Sequence, residues 1–418
     1  MHTSRRLFLK HTLSVCAVIS TPQWSSIALA QPSGNSHQRI SDIIREYSEQ
    51  GIHRTGSDVD NISARWMQDR MLAMGIETNL DPLEMSRVKI EDGRLTTPGF
   101  EVDGVPLYDC HYTDAAGVTG VMAELGSGVD ADIGVVMVPA STVSPQHTLL
   151  DQARRNGSYR AILVVSEQSY PADGAALINA EDFRSPVGPP VLQIGHARWP
   201  DIQVLMASRE PVTVIARAER EQVTAYNVSA RVAGSQPGLP PLVVMTPRSG
   251  WWQCASERGG GIAAFLEIAR AFSLSQPRCD VLFTANTGHE LGHLGLDQYL
   301  HANPDLIKDA AVWMHLGANF AAKGSVIRLQ YSDYELEDLV EGVLAQHGLV
   351  PGVETPIGSR PLGEARNVFD GGGHFVSLLG SNPLFHHPGD IWPDAVDIGT
   401  TTRWVDAFTQ LAQELAEA

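Results

Sequence analysis

The sequence predicts an α/β fold in which helices cover both faces of a mixed, mostly parallel sheet. Short apolar runs at residues 242–246, 281–285 and 311–314 have the length and composition of fully buried strands. Between the first two runs, apolar residues recur at helical spacing: Ile262, Phe265, Leu266, Ala269 and Phe272. Buried strands that alternate with helices are typical of such a sheet, whose ligands bind at the carboxyl ends of the strands.

Other segments extend this larger domain in both directions. Residues 41–75 predict two amphipathic helices, the second with Ile62, Trp66, Met67 and Met71 at helical spacing. Further strands are expected at residues 326–329 and 384–386, and a closing helix at residues 404–415.

Residues 106–221 differ in character from their surroundings. Short β-rich runs at residues 133–138, 161–165 and 212–215 are separated by Gly, Pro and Ser clusters, with one short helix at residues 150–156. This pattern indicates a mainly β module inserted into a larger domain, which then comprises residues 31–105 and 222–418.

The N-terminus carries an export signal. Arg5 and Arg6 precede a mildly apolar stretch at residues 13–19, and the small residues Ala28 and Ala30 form a cleavage site. This order is typical of a removable signal peptide, and the paired arginines favour the twin-arginine route. The stretch is too short to span a bilayer. We therefore expect residues 1–30 to be removed and the mature protein to be periplasmic or secreted.

Charge and cysteine content restrict the class of protein. The 418 residues carry a net charge of −18, and cleavage after residue 30 removes three basic residues and no acidic one, which gives −21. Such a charge argues against nucleic acid or an anionic membrane as partner. Cys110, Cys254 and Cys279 remain after cleavage and allow at most one disulfide.

Carboxylates and imidazoles follow three of the predicted strands, at residues 248–261, 286–293 and 385–390. Their convergence at one sheet edge would provide the ligands of a zinc site. His289 to His293 also matches HExxH, which binds zinc when both histidines lie on one helix face. Because a strand ends just before it and Gly288 and Gly292 disfavour a helix, we expect this motif to lie at a strand-to-helix turn.

At these residues the chain resembles zinc aminopeptidases related to aminopeptidase Y and to glutaminyl cyclases, often with an inserted protease-associated domain. The similar segments are residues 51–57, 255–261, 290–295 and 385–390, and residues 106–221 correspond to the insert. The resemblance covers nearly the whole mature chain, and it depends on the order and spacing of the motifs together.

The chain departs from the family pattern at several metal ligands. The first histidine ligand falls at Thr246, the aspartate two residues later at Arg248, and a later aspartate near Leu316 or Gly317. The resemblance therefore implies one zinc ion, held by Glu257, Glu290 and His386 as in the glutaminyl cyclase branch. His289 occupies the position of the general base.

The sequence thus predicts a metal-dependent hydrolase of an amide or peptide bond in a small-molecule or peptide substrate. Zinc would polarise the carbonyl or activate water, and His289 would move the proton. Arg248 or Arg258 would hold an acidic group of the substrate, and Trp251 and Trp252 either form an aromatic wall or pack their loop.

Three alternatives stay open at this stage. One is a glutaminyl cyclase-like acyl-transfer enzyme. Another is a non-catalytic binding protein in which Glu257 pairs with Arg258 or Arg248. The third is a rearranged metal site that uses His293, His315 or His374.

Overall fold

A computed structural model describes residues 35–139 and 144–418 of the chain. The predicted signal peptide, residues 1–30, lies outside the described residues. No helix in the described ranges has the length and apolar content needed to cross a bilayer.

The described residues form ten α-helices: α1 (Ser36–Glu49), α2 (Asp58–Ala73), α3 (Pro145–Asn156), α4 (Trp199–Ser208), α5 (Gly259–Leu274), α6 (Leu294–Ala302), α7 (Leu306–Asp309), α8 (Tyr334–His347), α9 (Ala365–Asp370) and α10 (Ile398–Glu417).

The same residues form fifteen strands: β1 (Thr78–Thr97), β2 (Phe100–Asp103), β3 (Val105–Pro106), β4 (Val118–Gly120), β5 (Met122–Glu124), β6 (Ile133–Val138), β7 (Ala161–Ser166), β8 (Val191–Ile194), β9 (Val212–Val232), β10 (Leu242–Pro247), β11 (Val281–Asn286), β12 (Val312–Leu316), β13 (Ile327–Tyr331), β14 (Val353–Thr355) and β15 (Phe375–Gly380).

The larger sheet has the order β14-β13-β15-β12-β10-β11-β9-β1-β2, with β4 paired to β9. Its centre, β15-β12-β10-β11, is parallel, whereas β13 and β9 join it antiparallel. The α/β class with a mixed sheet and a parallel centre is therefore confirmed.

Helices cover both faces of this sheet. Alternate residues of β10 point to opposite faces, so each face presents apolar side chains to the helices. Leu242 and Val244 pack with α1, α5 and α10 in the main apolar core. Val243 and Met245 pack on the other face with residues of α6 and α9.

A second sheet of five strands, in the order β3-β8-β7-β6-β5, lies in the segment that was predicted to be an inserted module and that keeps this name below. Its strands β5 to β8 pair in parallel. Val136 and Ile162 pack with residues of α3 on one face, and Val135 and Leu163 pack with residues of α4 and β9 on the other.

Two long antiparallel strands connect the sheets. β1 and β9 pair from Thr78 opposite Ala230 to Thr96 opposite Thr213. The predicted run at residues 212–215 is only the start of β9, and the predicted boundary at residue 221 falls inside this strand. Residues 219–222 are polar and exposed, so the sequence pattern resembles a linker although the backbone stays in the ladder.

One predicted strand is wrong. Residues 384–386 form a turn, and the strand at this place in the sheet is β15. The Asn382 side-chain oxygen accepts from the backbone N–H of Leu384 at 2.8 Å, and His386 has a φ of 59°. A side-chain cap and a left-handed residue both stop an extended strand.

A buried histidine gives the fold a testable pH dependence. His53 is stacked on Tyr47, with ring centroids 3.8 Å apart, and its Nε2 donates to the Tyr47 carbonyl at 2.9 Å. Burial lowers the pKa of His53 to about 3. Folding therefore favours the neutral form of His53. As pH falls below about 6.5, the free energy of unfolding decreases by about 1.4 kcal/mol per pH unit because of this group.

We expect His53→Gln to reduce the loss of unfolding free energy between pH 7 and pH 5 by about 2 kcal/mol, since glutamine does not titrate. Urea unfolding of both proteins at the two pH values measures this difference. Identical losses in the two proteins would contradict it.

Candidate functional site

A cavity of about 740 Å³ lies where the carboxyl ends of the central strands face the inserted module. The larger sheet and its loops contribute His289, His293, His315, Asn319, Arg328 and Asn382. The module contributes Asp109, His147, Arg154, Asn179, Glu181 and Asp182. The volume suits a small ligand or a short peptide end.

His289 lies on the cavity wall in a one-turn 3₁₀ segment, His289–Leu291, directly after β11. Its Nδ1 is 3.2 Å from Oε1 of Glu364, whose other oxygen accepts from Asn286 Nδ2 at 3.0 Å. A carboxylate only accepts, so Nδ1 carries the proton and Nε2 keeps its lone pair. Burial, followed by the charge of Arg258, holds the pKa of His289 well below its usual range, so the ring is neutral at pH 7.

His293 stacks beside His289, with ring centroids 4.7 Å apart. Its Nδ1 lies 2.6 Å from Oδ1 of Asn367, and the Asn367 amide nitrogen donates to Asp297 at 3.2 Å. The expected strand-to-helix turn is therefore confirmed: Gly288 and Gly292 have φ values of 74° and 77°, and each histidine is bound to its own partner.

The three predicted zinc ligands surround an arginine. Nη2 of Arg258 lies 2.9 Å from Oε1 of Glu257 and 2.5 Å from Oε1 of Glu290, and its Nε donates to the Ser249 carbonyl at 2.8 Å. All these side chains are buried. Burial raises the pKa of both carboxyl groups, and the adjacent guanidinium opposes the rise.

His386 completes this cluster. Its Nδ1 donates to the Leu177 carbonyl at 2.7 Å, so its Nε2 lone pair faces Oε1 of Glu257 at 3.4 Å. Neither of these two atoms has a hydrogen-bond partner among the described residues. Such a lone pair, fixed by a bond at the other nitrogen, is how metal-bound histidines are oriented.

A zinc ion does not fit this cluster as it is folded. The ligand atoms of Glu257, Glu290 and His386 do not all lie within 4.8 Å of one another. The Arg258 guanidinium also bridges the two carboxylates, where an ion shared by them would have to lie. In this arrangement Arg258, an internal cation, neutralises the two carboxylates that were predicted to hold zinc.

The alternative metal ligands do not converge either. Of the described residues, only Glu337, Glu341 and Glu354 bring three ligand atoms within 4.8 Å, on the surface around α8 and β14. His374 precedes β15 at the opposite edge of the sheet and pairs with Asp333 at 2.9 Å.

The four predicted substrate-binding residues lie outside the cavity wall. Arg248 is fully buried and pairs with Asp60 at 2.8 Å, which ties β10 to α2, and Arg258 is held by its two carboxylates. Trp251 is 2 % exposed and packs edge-to-face on Tyr108. Trp252 donates to the His386 carbonyl at 2.8 Å and carries Arg54 over its ring. Arg248 and Arg258 are thus corrected to internal ion pairs, and the tryptophans pack their loop.

Several residues of the site lie in segments whose sequence carries no sign of a functional role. Glu364 lies 75 positions after His289 in no recognisable motif. Asn382 follows β15, and the correct strand assignment would have put it at the sheet edge with Ser381.

The cavity wall carries five arginines, four of which pair with carboxylates. Arg154, Arg155, Arg360 and Arg366 bind Asp109, Asp182, Asp370 and Glu181 respectively. Arg328 donates to the Thr355 hydroxyl at 3.2 Å and has no carboxylate partner among the described residues. It is the lining cation available to an anionic group of a ligand.

No protein-family model and no curated protein sequence matches the chain. Solved structures do match. A peptidase M28 precursor from Shewanella amazonensis has 16% identity and a TM-score of 0.73 over 92% of this chain and 95% of that one. The zinc aminopeptidase BSAP from Bacillus subtilis has 14% identity and a TM-score of 0.71, over 91% and 94%.

An aminopeptidase from Aneurinibacillus sp. strain AM-1 is similar to the same extent, with 15% identity and a TM-score of 0.68 over 91% and 94% of the two chains. At identities this low, the structural similarity shows a shared fold alone. The chain has a zinc aminopeptidase-like fold, and in it the predicted zinc position is bridged by an arginine.

Proposed function

We propose that this protein is an exported hydrolase that cleaves an amide, peptide or ester bond in the cavity, with His289 as general base and no zinc ion at Glu257, Glu290 and His386. The observation that carries the proposal is the pairing of His289 with the buried Glu364 on the cavity wall. A base whose second nitrogen is fixed by a carboxylate is the arrangement that activates a nucleophile or water.

The hydrogen-bond geometry of His289 supports this role. With Nδ1–H committed to Glu364, the Nε2 lone pair of His289 has no partner among the described residues and can accept the proton of a water molecule. Glu364 is fully buried and stabilises the imidazolium that this transfer forms. Arg328 supplies a site for a substrate carboxylate, such as the end of a short peptide.

Hydrolysis by the purified mature chain tests the proposal, with aminoacyl amides, short peptides and esters as substrates. We expect turnover that a chelator leaves unchanged, and a loss of about 10²–10⁴-fold in His289→Gln. His374→Gln is the matched control, because His374 also pairs with a carboxylate but lies outside the cavity. Fractionation of cells that express the full chain tests export.

Three outcomes would overturn the proposal. Turnover that a chelator abolishes and zinc restores would return the mechanism to the metal-dependent hydrolase. Tight binding of a peptide without product formation would favour the binding-protein alternative, and a cyclised product would favour acyl transfer.

A further inference from the structure

His315 is a second imidazole on the cavity wall, and the zinc-ligand pattern of the sequence gives it no role. It lies in β12, its side chain is buried, and its Nε2 has no hydrogen-bond partner among the described residues. Its Nδ1 lies 2.8 Å from the hydroxyl of Ser377 in the adjacent strand β15.

A chain of hydrogen bonds determines which nitrogen of His315 carries the proton. The backbone N–H of Leu362 donates to Oε1 of Gln330 at 2.8 Å, which places the amide nitrogen of Gln330 toward Ser377. This nitrogen donates to the Ser377 oxygen at 3.0 Å. The hydroxyl proton of Ser377 then has one acceptor among the described residues, which is Nδ1 of His315. Nδ1 therefore accepts, and the neutral ring carries its proton on Nε2.

The unpaired Nε2–H is a donor without an acceptor. A buried donor left in this state costs about 1–3 kcal/mol, which an oxygen of a bound ligand would recover. Residue 363 is a glycine with a φ of 64°, and a Cβ there would lie 2.7 Å from Cε1 of His315. The absence of a side chain at this position lets glycine backbone pack close to the ring, whose side chain is fully buried.

We propose that His315 is the electrophilic residue of the site, whose Nε2–H binds the carbonyl oxygen of the substrate while His289 activates water. This rests on the function proposed above and assigns the substrate class: a compound whose reacting carbonyl group is uncharged, such as an amide or ester. The two imidazoles are complementary because Glu364 leaves His289 with a lone pair at Nε2, whereas Ser377 leaves His315 with a proton there.

In the reaction, water oxygen bonds to the carbonyl carbon as its proton moves to Nε2 of His289. The negative charge on the carbonyl oxygen is stabilised by the His315 N–H. Collapse of this intermediate breaks the bond to the leaving group, which takes the proton from His289. His315 keeps its proton throughout, so no oxidant or further reactant is needed.

Nitrogen-15 spectroscopy of the histidine-labelled mature chain tests the tautomer without any substrate. We expect Nδ1 of His315 to have the chemical shift of an unprotonated nitrogen and Nε2 that of a protonated one. His315→Gln identifies the signals by their loss. Ser377→Ala removes the proton donor to Nδ1 and should shift the ring toward the other tautomer. A proton on Nδ1 in the wild-type protein would overturn the inference whether or not the protein hydrolyses anything.

Kinetics of two variants test the role in binding the carbonyl. We expect His315→Leu to lower kcat by about 10²–10³-fold with little change in KM, the usual effect of removing one such donor. In His315→Gln the amide nitrogen reaches the position of Nε2, so we expect its kcat to be at least tenfold higher than that of His315→Leu. Equal losses in both variants would mean that the ring acts only by packing.

Discussion

Arg258→Ala is expected to convert the buried cluster into a zinc site. In the wild-type protein the guanidinium bridges Glu257 and Glu290 and is itself buried. Once the guanidinium is removed, the two carboxylates can move together toward the free Nε2 of His386, and the three side chains then form the ligand set of a single zinc ion. We expect about one zinc ion per variant chain, and substoichiometric zinc in the wild-type protein under the same conditions.

The same variant should be strongly destabilised without metal. Breaking a buried ion pair on one side costs about 3–5 kcal/mol, because the remaining charges stay buried without a partner. A ligand present at a hundred times its Kd returns about 2.7 kcal/mol of this loss. Urea unfolding with and without zinc, together with elemental analysis, measures both effects.

Arg248→Ala is the matched control for this experiment. Arg248 is also buried and paired with a carboxylate, Asp60, but no imidazole among the described residues contacts the pair. We expect a comparable loss of stability that zinc does not reverse. Zinc rescue of both variants, or of Arg258→Ala combined with His386→Ala, would show that the ion binds elsewhere.

Glu364→Gln is the second substitution with a large expected effect. One oxygen of the carboxylate accepts from Asn286, and the other accepts from Nδ1 of His289. In the variant, the oxygen of the amide pairs with Asn286, so its nitrogen faces Nδ1 and donates to it. The proton of His289 then moves to Nε2, and the lone pair in the cavity is lost.

We expect Glu364→Gln to lower kcat by about 10²–10⁴-fold while KM changes little, since the shape of the cavity is kept. Glu267→Gln is the control for the loss of a buried carboxylate, because Glu267 is 5 % exposed and binds Arg39 away from the cavity. If Glu364→Gln hydrolysed substrate as fast as the wild-type protein, Glu364 would have no role in the mechanism. The nitrogen-15 chemical shifts of His289 would show whether its tautomer changed in the variant.

Arg258 links the sequence pattern to the chemistry of the site. The carboxylates and the imidazole predicted as zinc ligands do lie together, which the order of motifs along the chain had indicated. The charge between them is supplied by a side chain that follows Glu257 directly in the sequence. An arginine at this position does not by itself predict an internal ion pair, because a guanidinium can equally turn outward to solvent or toward a substrate.

The sequence determined the elements and their order. Residues 133–138 coincide with β6, and the other apolar runs match β7, β10, β11, β12 and β13 within a few residues. These predictions succeeded because buried strands of a covered sheet are continuous apolar runs, a local property of the chain. β1 and β9 have alternating or polar stretches, and their ladder depends on pairing across more than a hundred residues, so local patterning showed only the first residues of β9 and none of β1.

The site was decided by the tertiary structure. Glu364, Asn286 and His289 meet only because β11 and the segment before α9 end at the same edge of the sheet. Which ring nitrogen carries the proton in His289 and in His315 depends on what the Nδ1 atom contacts. This contact is Glu364 for His289 and Ser377 for His315. The sequence names the imidazoles, but whether each accepts or donates a hydrogen bond follows from partners that only folding brings within reach.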